Sequence, residues 1–314
     1  MKRLILAAIL LLIASSCYAM SANENFHSGR EESSSLYHPD KSDDEELAAL
    51  ITEYVPKFKL RTYSDDVTGK AIKYSIYLPD GYSAEKKYPV VFFIADGSSA
   101  GKAPEFSLTQ GYGGLIWCRN DCVVIVPSYP EVVLDDHNGF VLSDYVDLTG
   151  RFVDYAVKNY SIDEKRVYAT GQSMGCMTLL VLAAKNTGMF TACLFVSGQW
   201  DINALRGLTV QRFIYVASAG DPKASAGQQE VIDMFRSGGV PYASYVNINA
   251  KNTGLTIPGN HPQSFITFKE KSTLPEGTEG TYSEHMTSFD YAYRIKSARE
   301  WLFSQVKGDS LTNG

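Results

Sequence analysis

The stretch Lys165–Leu180, KRVYATGQSMGCMTLL, decides the fold. Val167 to Thr170 are β-branched, aromatic or small, which suits a strand, and Met174 to Ala184 form an apolar run of helical length. Between them stands Gly171-Gln172-Ser173-Met174-Gly175, a G-x-S-x-G elbow. A serine on so abrupt a strand-to-helix turn sits in strained backbone. A Cβ two residues to either side would strike the neighbouring strand or helix, so both flanks must be glycine or nearly so. The bare pattern arises by chance in roughly one chain in ten of this length. Its weight comes from its setting at the start of a helix, whose first N–H groups can receive developing negative charge.

A serine hydroxyl is a poor nucleophile unless a histidine takes its proton, and the histidine needs an acid that fixes its tautomer. In chains with this elbow the order is serine, acid, histidine. Of five histidines, His27, His38 and His137 precede the serine, which leaves His261 and His285. His285, in Tyr282-Ser283-Glu284-His285, stands just before the amphipathic helix that ends the domain and is the preferred base. His261, in Gly259-Asn260-His261-Pro262, has no regular neighbour. The preferred acid is Asp221, in the turn Ala219-Gly220-Asp221-Pro222 after a strand, with Asp201 second. Met174 N–H is one expected oxyanion donor, and the other is the N–H of Gly97 or Ser98.

The N-terminus has Lys2 and Arg3, the apolar run Leu4 to Ile13, then Cys17-Tyr18-Ala19. This is the pattern of a signal peptide over residues 1–19. It predicts an exported protein, secreted or periplasmic. Ala14-Ser15-Ser16-Cys17 also loosely matches a lipoprotein cleavage box, which would place a lipid anchor on Cys17 at the cell surface. Cleavage after Ala19 is favoured, because alanine is a poor first residue of that box. Residues 20–54 are acidic and serine-rich with few large aliphatics, so they are expected to be a disordered linker. Residues 55–308 are the expected catalytic domain and 309–314 a tail. No later apolar run is long enough to cross a bilayer. The net charge of −6 and the lack of a basic patch argue against nucleic acid as a partner.

Strands are expected at Phe58–Ser64, Lys73–Leu78, Pro89–Ile94, Cys122–Pro127, Arg166–Thr170, Ala192–Ser197, Phe213–Ser218 and Tyr242–Ile248. Helices are expected at Thr109–Cys118, Val141–Asn159, Met174–Lys185, Gln228–Ser237 and Ser288–Val306. Early strands run without helices between them and later ones alternate with helices. That predicts a mixed, mostly parallel sheet covered on both faces, with ligands at the carboxyl ends of its strands.

Four segments together resemble one family: Ile76-Tyr77-Leu78-Pro79-Asp80-Gly81-Tyr82, the strand Tyr88 to Ile94, the elbow, and Arg299-Glu300-Trp301-Leu302-Phe303-Ser304-Gln305. They are similar to the polyhydroxybutyrate-depolymerase and feruloyl-esterase-like branch of the α/β-hydrolase superfamily, whose pattern esterase-D-like and "predicted peptidase" sequences share. The resemblance runs from Val55 to Gln305. It implies the α/β-hydrolase fold, with a central sheet of about eight strands. It also implies a secreted serine esterase that cleaves carboxylic esters through a Ser-His-Asp acyl-enzyme, often acyl or feruloyl esters of plant polysaccharides. Two features depart from the family: Asp96-Gly97 stands where many relatives have His-Gly, and the segment Lys251–Thr281 is long. A loop of that length before His285 is expected to be a lid or pocket wall.

Gln172 and the aromatic residues Trp117, Tyr129 and Trp200 are the candidates for substrate binding, with Tyr112 beside them, because all are placed near the expected carboxyl ends. Cys118 and Cys122 flank a short loop, close enough to bridge, whereas Cys176 and Cys193 read as small buried hydrophobes. No zinc-type spacing and no phosphate-binding glycine loop is present, so no metal or cofactor is expected. Three function classes stand: an ester hydrolase, a serine peptidase with the same triad, and a non-catalytic surface-binding protein.

Overall fold

Residues Tyr88–Ile94, YPVVFFI, are buried along their whole length, as expected of a strand covered on both faces of a parallel sheet. A computed structural model describes residues 37, 39–252, 254–257, 261–278 and 282–309. In chain order the elements are α1 (Glu45–Tyr54), β1 (Lys59–Ser64), β2 (Ala71–Tyr77), β3 (Tyr88–Ile94), α2 (Phe106–Thr109), β4 (Val123–Ser128), β5 (Leu134–Asp135) and β6 (Val141–Leu142). There follow α3 (Asp144–Asn159), β7 (Ile162–Gln172), α4 (Met174–Lys185), β8 (Ala192–Val196), β9 (Phe213–Ser218) and α5 (Pro222–Ser237). The last are β10 (Ala243–Ile248), β11 (Gln263–Phe268), α6 (His285–Arg294) and α7 (Lys296–Ser304).

Among the described residues, nine strands form one sheet in the order β1-β2-β4-β3-β7-β8-β9-β11-β10. β2 is antiparallel to both neighbours, and every pairing from β4 across to β10 is parallel. This is the mostly parallel α/β sheet that the sequence predicts, with nine strands instead of about eight. One apolar cluster joins the sheet to α3, α4 and α5 through Phe152, Leu180 and Phe235. The other holds Leu47, Trp117, Tyr293 and Leu302 on the opposite face. β3 lies between β4 and β7. After β3 the chain pairs β4 on one side and then returns through α3 to β7 on the other. The strand order reverses there, and in sheets of this kind ligands bind at the carboxyl ends of the strands at such a point.

Several elements differ from expectation. The signal peptide with Cys17, and the linker up to residue 36 and at 38, lie outside the described residues. Residues 45–54 are a helix, not disordered linker. Leu47, Leu50 and Tyr54 make a buried stripe along α1, and the Asp44 carboxylate caps it by accepting from Leu47 N–H at 3.0 Å. Acidic composition yields to a capped amphipathic face. The expected helix Thr109–Cys118 is interrupted by Gly111, Gly113 and Gly114, leaving the short α2 and a 3-10 turn at Ile116–Arg119. Val141 and Leu142 pair with β5 instead of opening α3, which starts at the Ser143 cap. The closing helix breaks at Ile295.

The largest correction concerns Lys251–Thr281. Gln263–Phe268 within it is a sheet strand between β9 and β10. Two of its polar residues find partners inside the core: Gln263 Nε2 donates to Gln211 O at 2.9 Å, and Thr267 Oγ1 to Gln228 Oε1 at 2.8 Å. Cys118 and Cys122 are free rather than bridged. Burial pushes both thiols up, out of the reactive range. Among the described residues no helix is long and apolar enough to cross a membrane.

Candidate active site

β7 delivers Gln172 and α4 takes over at Met174, so Ser173 has to turn the chain within one residue. It does so at φ 50° and ψ −118°, a conformation costly for a residue with a side chain. The two glycines are required by contact. A Cβ on Gly171 would lie 2.5 Å from the Gly175 carbonyl carbon, and a Cβ on Gly175 would overlap the Ile94 carbonyl at the end of β3. Ser173 N–H donates to Val196 O at 3.0 Å, which ties the elbow to β8.

Asp221 follows β9 and caps α5, with Oδ1 accepting from Ala224 N–H at 3.3 Å. Its other oxygen lies 2.6 Å from His285 Nδ1. His285 is the first residue of α6, and its Nε2 lies 2.8 Å from Ser173 Oγ. A carboxylate only accepts, so Nδ1 carries the hydrogen and Nε2 presents its lone pair to the serine O–H. The imidazole rests edge-on against Phe289, one turn along the helix, with ring centres 5.1 Å apart. The Asp221 side chain is 3 % exposed and that of His285 17 %, so the carboxylate is enclosed and the imidazole is partly open.

The alternatives lie elsewhere. His261 precedes β11, whose Gln263 pairs with Phe213 at the start of β9. It sits at the amino end of the sheet, about 20 Å along the strands from the Asp221 end. Asp201 caps a 3-10 turn, accepting from Asn203 N–H at 3.0 Å.

Residues 66–205 match the Esterase family model, a span that includes Ser173 and ends before Asp221 and His285. Acetylxylan esterase A from Aspergillus ficuum is 27 % identical over 178 residues, 52 % of this chain and 52 % of that protein. The match thus spans about half the length of that curated relative. Among solved structures, a thermostable esterase superposes with a TM-score of 0.67 at 19 % identity, covering 81 % of this chain and 64 % of that one. A ferulic acid esterase superposes with a TM-score of 0.52 at 15 % identity, covering 78 % and 98 %. The chain has the α/β-hydrolase fold, and its residues 66–205 match an esterase family.

In this fold the loop after β3 is a 3-10 turn, Gly97–Ser99, capped by Asp96. Asp96 Oδ1 accepts from Ser98 N–H at 2.9 Å. Of the two expected second oxyanion donors, Ser98 is therefore already engaged. Gly97 lies beside the helix start: a Cβ there would sit 3.9 Å from Met174 Cβ. Gln172 does not face open space for substrate; it is buried, and its Nε2 donates to Asp96 Oδ2 at 2.7 Å.

The aromatic candidates divide. Trp117 does not line a groove. It is wholly buried on the 3-10 turn leading into the amino end of β4, edge-on to Tyr293 at 6.3 Å, and its Nε1–H donates to Gly113 O at 2.7 Å. Tyr112 is equally buried, with its hydroxyl donating to Asp44 Oδ1 at 2.7 Å. Tyr129 follows β4 at the carboxyl end, but its ring is buried and its hydroxyl lies 2.8 Å from Thr149 Oγ1. Trp200 follows β8 and packs edge-on under Phe140, with ring centres 5.1 Å apart.

Two features escaped sequence reasoning. The β5–β6 hairpin reaches the loop after β8 and the first turn of α5: Gln199 donates to Asp136, and Lys223 Nζ lies 2.9 Å from His137 Nε2. Phe140, half-exposed on that hairpin, has a φ of 57°. Asp135, Asp136 and His137 bring three ligand-type atoms within reach of one ion, but they are also hydrogen-bonded surface groups. The second feature is Glu284. Its buried carboxylate accepts from the N–H groups of Lys271 and Thr273 and from Thr273 Oγ1, while its own N–H donates to Gly220 O at 2.9 Å. The only sequence signal was its place between His285 and a serine.

Proposed function

We propose that this chain is an exported serine hydrolase that cleaves carboxylic esters, with Ser173 as nucleophile, His285 as general base and acid, and Asp221 as the orienting acid. One observation carries the proposal: His285 spans Asp221 and Ser173 at 2.6 and 2.8 Å. Ser173 Oγ gives its proton to His285 Nε2 as it attacks the ester carbonyl. The oxyanion of the tetrahedral intermediate receives the N–H groups of Met174 and Gly97. His285 then returns the proton to the leaving alcohol, and a water activated by the same imidazole hydrolyses the acyl-enzyme.

The relationship to an acetylxylan esterase supports acyl esters of polysaccharides as substrates. The apolar N-terminal run supports export. The test is release of acetate from acetylated xylan and of ferulate from methyl ferulate, set beside a chromogenic peptide amide. Ester turnover that Ser173→Ala abolishes supports the proposal. Turnover of the amide alone replaces it with a peptidase, and a folded protein inert toward all three leaves a binding role.

A further inference from the structure

Asp96-Gly97 follows β3, and a buried carboxylate beside the proposed oxyanion site demands a physical reason. Asp96 is 4 % exposed. It is satisfied by hydrogen-bond donors: Ser98 N–H and Ser98 Oγ–H on Oδ1, and Gln172 Nε2 on Oδ2. Burying a carboxylate is costly unless such donors hold it, and these three do. Gln172 is the last residue of β7 and immediately precedes Ser173. Asp96 is the first residue but one after β3. The bond between them therefore joins the ends of β3 and β7 where the strand order reverses, one residue from Gly97 on one side and one residue from Ser173 on the other.

Resting on the serine-hydrolase reading above, we propose that Asp96 and Gln172 form a clamp that sets the spacing of the oxyanion donors Gly97 N–H and Met174 N–H. They are positioning residues and touch no reacting atom. By capping the Gly97–Ser99 turn, Asp96 takes the Ser98 amide out of play and leaves Gly97 facing the helix start. By holding Gln172, it fastens that turn to the elbow. The acid in the loop and the amide donor before the serine act as one device. An oxyanion hole works by preorganisation, so slack between its two donors lowers the rate without loosening ground-state binding.

The clamp is geometric, so its chemistry can be exchanged. Asp96→Asn keeps an acceptor for Ser98, and the Gln172 amide can turn to accept from the new Nδ2; kcat stays within about 5-fold of wild type. Gln172→Glu sets two carboxylates against each other and lowers kcat on p-nitrophenyl acetate by about 10²-fold, with KM within about 2-fold. The double variant Asp96→Asn/Gln172→Glu restores a donor and an acceptor and recovers kcat to within about 5-fold of Asp96→Asn alone. Gln172→Ala, which adds no charge, lowers kcat at least about 10-fold at an unchanged Tm and weakens a boronic-acid transition-state analogue in proportion.

An active wild type with Gln172→Glu equally active, or a double variant no better than Gln172→Glu, overturns the clamp while leaving the hydrolase reading intact. A wild type that neither turns over ester nor binds the boronic acid overturns both.

Discussion

The Glu284 carboxylate occupies the space in which a side chain at Gly220 would begin. A Cβ built on Gly220 falls within overlap distance of Glu284 Oε1 and 2.6 Å from its Cδ. Gly220 precedes Asp221 and Glu284 precedes His285, so this contact couples the two turns that carry the proposed acid and base. The Glu284 N–H to Gly220 O bond and the Glu284 bonds to the 271–273 loop complete the junction. Gly220→Ala is expected to displace Glu284, lowering kcat/KM about 10-fold or more along with Tm. Equal activity and Tm in the variant would show that the contact is slack.

Strain at the elbow gives a prediction of opposite sign for stability and activity. Glycine accepts φ 50° freely, so Ser173→Gly should raise stability by about 1 kcal/mol, a Tm gain of roughly 2–4 °C, while eliminating turnover. Gly175→Ala, forced against the Ile94 carbonyl, should give little folded protein. Calorimetry of the purified variants checks both, and a Ser173→Gly protein less stable than wild type contradicts the strained turn.

His285→Ala is expected to lower kcat by several orders of magnitude and His261→Ala to leave it near wild type. Asp221→Asn retains the cap on α5 but presents the wrong histidine tautomer, so kcat should fall by about 10⁴ with Tm little changed. Steady-state kinetics on one ester reads all three, and a large loss in His261→Ala with an active His285→Ala reverses the assignment.

Asp65, in the turn between β1 and β2, receives Nε and Nη2 of Arg151 on α3, both at 2.7 Å. The paired guanidinium holds its carboxyl well below the usual carboxylate range. A depressed folded-state pKa contributes stability that is complete above the unfolded value, about 3.9, and is lost as pH falls toward the folded one. Asp65→Asn should therefore lower Tm at pH 7, with the gap to wild type closing as pH drops below about 4. A gap independent of pH would remove the electrostatic explanation.

Trp117 tests burial against substrate contact. Trp117→Phe removes the Gly113 bond and part of the packing on Tyr293, so Tm should fall while KM for aryl esters stays unchanged. A raised KM at unchanged Tm would return Trp117 to the groove.

Much of the fold was legible because β3, β7 and β9 carry apolar runs that only a doubly covered sheet can bury, and because the elbow needs glycine at two spaced positions. Chain order then led to Asp221 and His285, which the structure brings together with Ser173. β11 was not legible: Gln263, Ser264 and Thr267 dilute its apolar pattern, and the core partners that satisfy Gln263 and Thr267 come from distant segments. The same holds for α1, where acidic composition hid a three-residue apolar stripe, and for Trp117, whose sequence position does not reveal which end of β4 it faces. Glu284 and Gln172 act through contacts with Gly220 and Asp96 that exist only in the folded chain.

The proposed triad makes Ser173 an activated nucleophile. Purified mature protein is treated with a fluorophosphonate, digested and mapped, beside His285→Ala and a heat-unfolded control. The account predicts one adduct per chain, on the Ser173 peptide, formed rapidly in wild type and slowed by orders of magnitude in His285→Ala and in the unfolded chain. An adduct on another serine, or none in the folded wild type, would contradict it.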